Sequence, residues 1–124
     1  MHADVIHLVA ESGPLLNVSG MEASPDRFSS LKLEFSSGVL HLRCDDDTDE
    51  IIAEISKRDD DYPNVVHPAI RDMIGLRIDY AWSLTNHRGY VDAFQLRLED
   101  GTGTEKTFQF EVLGSAMDVL RVVA

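Results

Sequence analysis

The sequence predicts an α+β domain dominated by a meandering antiparallel sheet, able to curl toward a barrel, with one short helix near residues 67–75. Three observations predict it. Apolar and polar residues alternate on both sides of Ser36-Ser37-Gly38. Two longer alternating runs flank Asn86-His87-Arg88-Gly89. Between these strand groups lies a single short apolar stripe, opened by Pro68 and closed by Gly75. The 124 residues fit one domain, 1–124.

The elements follow in order. Gly13-Pro14 and Ser24-Pro25-Asp26 are turn signals, and Leu15–Met21 between them reads as a short strand interrupted by Gly20. The first ten residues are apolar in part but too short to classify. Leu31, Leu33 and Phe35 alternate with Lys32 and Glu34. Leu40, Leu42 and Cys44 alternate with His41 and Arg43 beyond the turn. One apolar and one charged face predict a hairpin solvated on one side, with His41 beside Glu34 as a surface pair. Ile51, Ala53 and Ile55 predict a third strand.

Ile70, Met73 and Ile74 give the helix its one apolar stripe. Leu76, Ile78, Tyr80, Trp82 and Leu84 then form the apolar face of a long strand. Tyr90, Asp92, Phe94, Leu96 and Leu98 form the face of the return strand. This pattern places Trp82 in the core near Tyr90 or Phe94. Asp100-Gly101-Thr102-Gly103 is another tight turn, Phe108, Phe110 and Val112 continue the alternation, and Val119–Val123 ends the chain as a short strand.

Twenty-two acids against eleven bases give a net charge of −11. Such a field repels phosphate backbones and anionic lipid, so neither nucleic acid nor a membrane surface is an expected partner. A basic protein is the partner this charge would steer. Cys44 is the only cysteine, so no intrachain disulfide is expected. No run approaches a membrane span, and no basic region precedes an apolar stretch at the N-terminus. A reducing, cytoplasmic setting is the expectation.

The acids cluster in two groups, Asp45, Asp46, Asp47, Asp49 and Glu50, and then Asp59, Asp60 and Asp61. The run Asp45-Asp46-Asp47-Thr48-Asp49-Glu50 and the hairpin Ala81-Trp82-Ser83-Leu84-Thr85-Asn86-His87-Arg88-Gly89-Tyr90-Val91-Asp92 together resemble a family of small uncharacterised bacterial proteins. Their marks are a DDDTDE-like acidic turn and a W-x-L-T-N-x-x-G-Y-x-D hairpin. The resemblance spans about Leu15 to Val123. It implies a single domain of bacterial origin and brings no activity and no catalytic residues.

Taken on its own, the first acidic cluster has three readings. In an extended conformation, Asp45, Asp47 and Asp49 point one way and offer oxygen ligands to a divalent cation. An EF-hand is rejected, because Glu50 stands at the glycine position. The second reading is a solvated loop whose carboxylates accept backbone N–H groups. The third is a protein-binding surface formed by Asp45, Asp46, Asp47, Asp49 and Glu50. The hairpin has two readings. Trp82, Asn86, Tyr90 and Asp92 form either a ligand or peptide pocket, or an aromatic core with Asp92 anchoring the turn.

Catalytic signals are sparse. The five histidines fall in separate segments, with no HExxH motif, zinc spacing, nucleophile elbow or phosphate-binding loop. Cys44 stands beside aspartates, which disfavour a thiolate. The expected function is therefore a non-enzymatic protein-interaction module, of the immunity or antitoxin kind. The competing expectation is a small metal-dependent enzyme or ligand-binding protein centred on the Asp45–Glu50 turn. No cofactor and no metal site is assigned, and the oligomeric state is open, a homodimer included.

Overall fold

The computed structural model describes residues 11, 13–36, 38–45, 47–56 and 62–122. Eight strands and one short helix follow in order: β1 (Leu15–Ser24), β2 (Arg27–Phe35), β3 (Gly38–Asp45), β4 (Glu50–Ser56), α1 (Pro68–Arg71), β5 (Arg77–Thr85), β6 (Val91–Glu99), β7 (Glu105–Leu113) and β8 (Ala116–Val122). The fold is mainly β, so the α+β expectation overstates the helix, which is a single turn of four residues. A helix that short cannot form a layer of its own.

All strands join one curled, half-barrel sheet in the order β4-β3-β2-β8-β7-β6-β5, with β1 pairing β2. Every pairing is antiparallel. Two four-strand meanders, β1–β4 and β5–β8, meet at one register pair, Phe28 opposite Met117. Arg27 reinforces that seam: its Nε donates to Asp118 Oδ1 at 3.1 Å, and its second guanidinium nitrogen donates to the Leu113 and Ala116 carbonyls. The core fills the inside of the curl with Leu31, Leu33 and Phe35 from β2, Leu40 and Leu42 from β3, and Phe94, Leu96, Phe108 and Phe110 from the second meander.

The β2–β3 hairpin has the predicted register, with Leu31 opposite Leu42 and Leu33 opposite Leu40. Gly20 does not interrupt β1. A Cβ there would stand 2.7 Å from the Ser30 carbonyl oxygen and 2.8 Å from a Leu31 methyl, so only glycine lets these strands approach. The helix is shorter than the 67–75 stripe suggests. His67 caps it, with Nδ1 accepting the Ala69 N–H at 3.1 Å. Ile70 and Met73 are buried, while Ile74 is exposed because the helical turn has already ended. The exit is pinned by Gly75 N–H donating to the Leu15 carbonyl at 2.8 Å and Leu15 N–H to the Leu76 carbonyl at 2.7 Å.

The largest correction concerns β5. A bulge between Ile78 and Tyr80 inverts its alternation. Ile78 faces the core, but the next inward residue is Ala81, at 1% exposure, whereas Tyr80 is 54% exposed and Trp82 half-buried. One extra residue in a period-two pattern sends every later side chain to the other face. Trp82 therefore packs beside Tyr80, with ring centroids 5.4 Å apart and the planes tilted by 58°, and lies opposite Gln95 in register. It does not pair across the hairpin with Tyr90, which precedes β6 and is exposed.

Candidate functional site

The half-barrel ends in two edges, β4 and β5. Between them opens a groove of about 670 Å³. Ile51, Ile52 and Ala53 line it from β4, Tyr80 to Ser83 and Thr85 from β5, and Val91 and Phe94 from β6. Asp45 and Glu50 stand at its acidic end. The two clusters singled out in the sequence thus meet: the acidic turn supplies Asp45 and Glu50, and the hairpin supplies Trp82. The contact is direct, since Glu50 Oε2 accepts the Val91 N–H at 2.9 Å.

The acidic turn is not extended. Asp49 N–H donates to the Asp45 carbonyl at 2.9 Å, and Asp47 N–H donates to Asp45 Oδ1 at 2.9 Å. Asp49 adopts a left-handed conformation, φ 55°, and its Oδ1 accepts from the Ser115 hydroxyl at 2.9 Å. The three alternating carboxylates therefore do not point one way, because a tight turn breaks the period-two geometry that would align them. Among the described residues, no group of three or more His, Cys, Asp or Glu side chains is placed to hold a metal ion. Asp47 and Asp49 are exposed, and Asp46 and Asp59, Asp60 and Asp61 lie outside the described residues.

The hairpin residues divide by role. Asn86 Oδ1 accepts the N–H groups of Arg88 at 2.9 Å and Tyr90 at 3.2 Å, and its amide nitrogen donates to Asp92 Oδ2 at 3.4 Å. Asn86 and Asp92 thus build the turn, as the anchoring role for Asp92 expects. Trp82 alone of the four lines the groove, and Tyr90 projects from the turn into solvent.

Sequence reasoning missed two features. The first is the pair of alanines on the edges, Ala53 and Ala81, opposite the buried Leu42 and Leu96. Their small size leaves the groove open, and the signal was an alanine at an inward position of each strand. The second is a polar cluster on the outer face of β2–β4. His41 lies opposite Lys32 and Glu54, not beside Glu34. Its Nε2 shares a 2.6 Å hydrogen bond with Ser30 Oγ, and its Nδ1 lies 3.7 Å from Glu54. Tyr62 covers the cluster, with its ring 5.1 Å from Lys32 Nζ. Residues 62–65 strap across β1, with Gly20 N–H donating to Pro63 and Val65 N–H to Val18, both at 3.0 Å. Burial lowers the His41 pKa, Lys32 lowers it further, Glu54 opposes the shift and Arg43 adds to it. Ser30 and Lys32 are 8% and 5% exposed. The serine–histidine–carboxylate order resembles a nucleophile array, but Ser30 is buried, with its hydroxyl 3.4 Å from that of Tyr62, and Glu54 is exposed at the rim, so the cluster is a part-buried polar network tying the strap to β2.

A model of a family of unknown function, DUF6334, matches residues 1–124. No curated protein matches the chain. No solved structure matches it.

Proposed function

For this chain, which belongs to the DUF6334 family, we propose a role as a protein-interaction module that receives a basic segment of a partner in the groove between β4 and β5. The observation that carries this reading is the convergence of Asp45, Glu50 and Trp82 on one groove. Carboxylates steer a cationic partner and lengthen its residence. A half-buried tryptophan beside an exposed tyrosine offers the aromatic area that interaction surfaces favour. The net charge of −11 adds long-range attraction for the same class of partner. A bacterial cytoplasm fits this reading, as does the lone Cys44, half-buried with its thiol 3.9 Å from the Phe28 carbonyl. A metal-dependent role gains no support from the turn, where Asp45 and Asp49 already accept hydrogen bonds.

Trp82 is the only tryptophan, so its emission reports on the groove directly. Titration with a lysine-rich peptide at low salt should shift that emission. The shift should weaken in Glu50→Gln, which keeps an acceptor for Val91 N–H but removes the charge. An unchanged emission spectrum, or an equal response in Glu50→Gln, would refute the reading.

A further inference from the structure

The groove offers a cation ring faces and negative charge. Tyr80 and Trp82 stand two residues apart on β5, so period-two geometry puts both rings on one face of the strand. Their centroids are 5.4 Å apart and their planes are tilted by 58°, so they meet as two walls of a corner rather than as a stack. Both rings line the groove, and Tyr80 is exposed. The chain already holds one cation against these rings. The Arg97 guanidinium lies 5.7 Å from the Tyr80 centroid, tied to Asp79 at 2.7 Å and to Glu105 at 3.5 Å. Asp45 and Glu50 line the same groove and lie opposite each other in register across β3 and β4. Like charges so placed repel. Among the described residues, neither is in an ion pair. A cation in the groove would relieve that repulsion.

We propose that the corner between Tyr80 and Trp82 seats a trimethylated lysine of the basic partner segment, with Asp45 and Glu50 as its counter-charge. This deepens the interaction reading and rests on it. The chemistry of the lining favours that cation over an unmodified lysine. A primary ammonium carries three N–H donors and is strongly hydrated, so it needs acceptors when it leaves water. Ring faces are poor acceptors. Asp45 Oδ1 and Glu50 Oε2 already accept the backbone N–H groups of Asp47 and Val91, each at 2.9 Å. A quaternary ammonium has no donor to satisfy, and aromatic walls attract it through the ring quadrupole. The carboxylates act on it by charge alone, which needs no hydrogen bond. Ile51, Ala81 and Val91 line the same groove and give the lysine stem apolar surface to lie on.

The test uses the full chain and three peptides that share one lysine-rich sequence without tryptophan. They differ at a central residue: lysine, trimethyllysine, or the neutral analogue with carbon in place of the quaternary nitrogen. Trp82 emission reads the binding at low salt. The trimethyllysine peptide should bind about tenfold more tightly than either of the others. In Tyr80→Leu that preference should vanish while the lysine peptide still binds. The Tyr80 ring is exposed, and the urea midpoint checks that the variant is folded. Equal binding of the lysine and trimethyllysine peptides overturns the aromatic seat and leaves the basic-partner reading intact. Equal binding of the neutral analogue and the trimethyllysine peptide reduces the contact to apolar burial and overturns it too. A preference that survives Tyr80→Leu places the cation elsewhere and overturns the assignment. Tetramethylammonium binding as tightly as the trimethyllysine peptide would assign the corner to a small free cation and overturn the proposal. Failure of all three peptides to bind overturns both readings.

Discussion

Glu50 and Val91 join the two meanders across the open side of the half-barrel: the Glu50 carboxylate, on the edge strand β4, accepts the backbone N–H that begins β6, at 2.9 Å. Glu50 belongs to the most acidic stretch of the chain, where charge alone suggests a purely solvated role. It is instead half-buried, and its carboxylate is tied to the start of the second strand of the β5–β6 hairpin. A charged acceptor makes such a bond stronger than a neutral one.

Removing that acceptor should destabilise the fold. Glu50→Ala leaves the Val91 N–H without its partner at the groove end and should cost about 1–2 kcal/mol. Glu50→Gln should cost less, because the amide oxygen still accepts. Urea denaturation of the two variants separates them, and equal stability of Glu50→Ala and the parent would refute the role.

Trp82 should be a modest contributor to stability. Half-buried beside Tyr80, it is outside the core that the alternation alone would place it in. Trp82→Ala should cost about 1–2 kcal/mol, against about 3–5 kcal/mol for Phe94→Ala in the core. Native emission should lie between the buried and fully exposed limits and be quenched by acrylamide. A fully buried spectrum would contradict this.

His41 should make stability depend on pH. Its folded-state pKa lies below the ordinary 6.5, chiefly through burial. The unfolded chain therefore takes up a proton more readily than the folded one. The contribution is intact above about 6.5 and is lost as pH falls through the folded value. The urea midpoint should drop between pH 7.5 and 5.5, and His41→Gln should flatten that part of the profile. An identical slope in the variant would place the dependence elsewhere. Lys32, Arg43 and Glu54 surround the ring, with Ser30 and Tyr62 as uncharged neighbours.

The acidic turn should tolerate loss of some charges and not others. Asp47 enters the turn through its backbone N–H and its side chain is exposed, so Asp47→Asn, alone or with Asp46→Asn, should hold or raise the melting temperature. Asp45→Ala removes the side-chain acceptor that shapes the turn and should cost about 1 kcal/mol. Thermal melts decide between them, and equal effects would mean the turn has no structural centre.

Salt should stabilise the protein. Arg27, Arg43 and Arg97 are paired with acids, which screening weakens only slightly because such pairs contribute little. The excess of acids over bases is far larger. The melting temperature should therefore rise between about 10 mM and 200 mM NaCl as repulsion is screened. A fall would show that the ion pairs outweigh the repulsion.

The sequence by itself determined the strands, because period-two alternation and turn chemistry are local. The β2–β3 hairpin, the entry of β4 after the acidic turn, the Asn86–Gly89 reversal and the break at Asp26 all follow from residues within a few positions of one another. The net charge follows from composition alone. Three things only the tertiary structure decided. The bulge after Ile78 turned Tyr80 and Trp82 away from the core, and a bulge is set by how β5 meets β6 rather than by either strand's own pattern. The neighbours of His41 came from the register of three strands and the strap above them, contacts separated by many residues in the chain. The groove came from strand count and order: seven strands on one curled path leave two edges running in the same direction. Periodicity states which side of a strand is apolar, but only closure, or its absence, decides which strand is left without a neighbour.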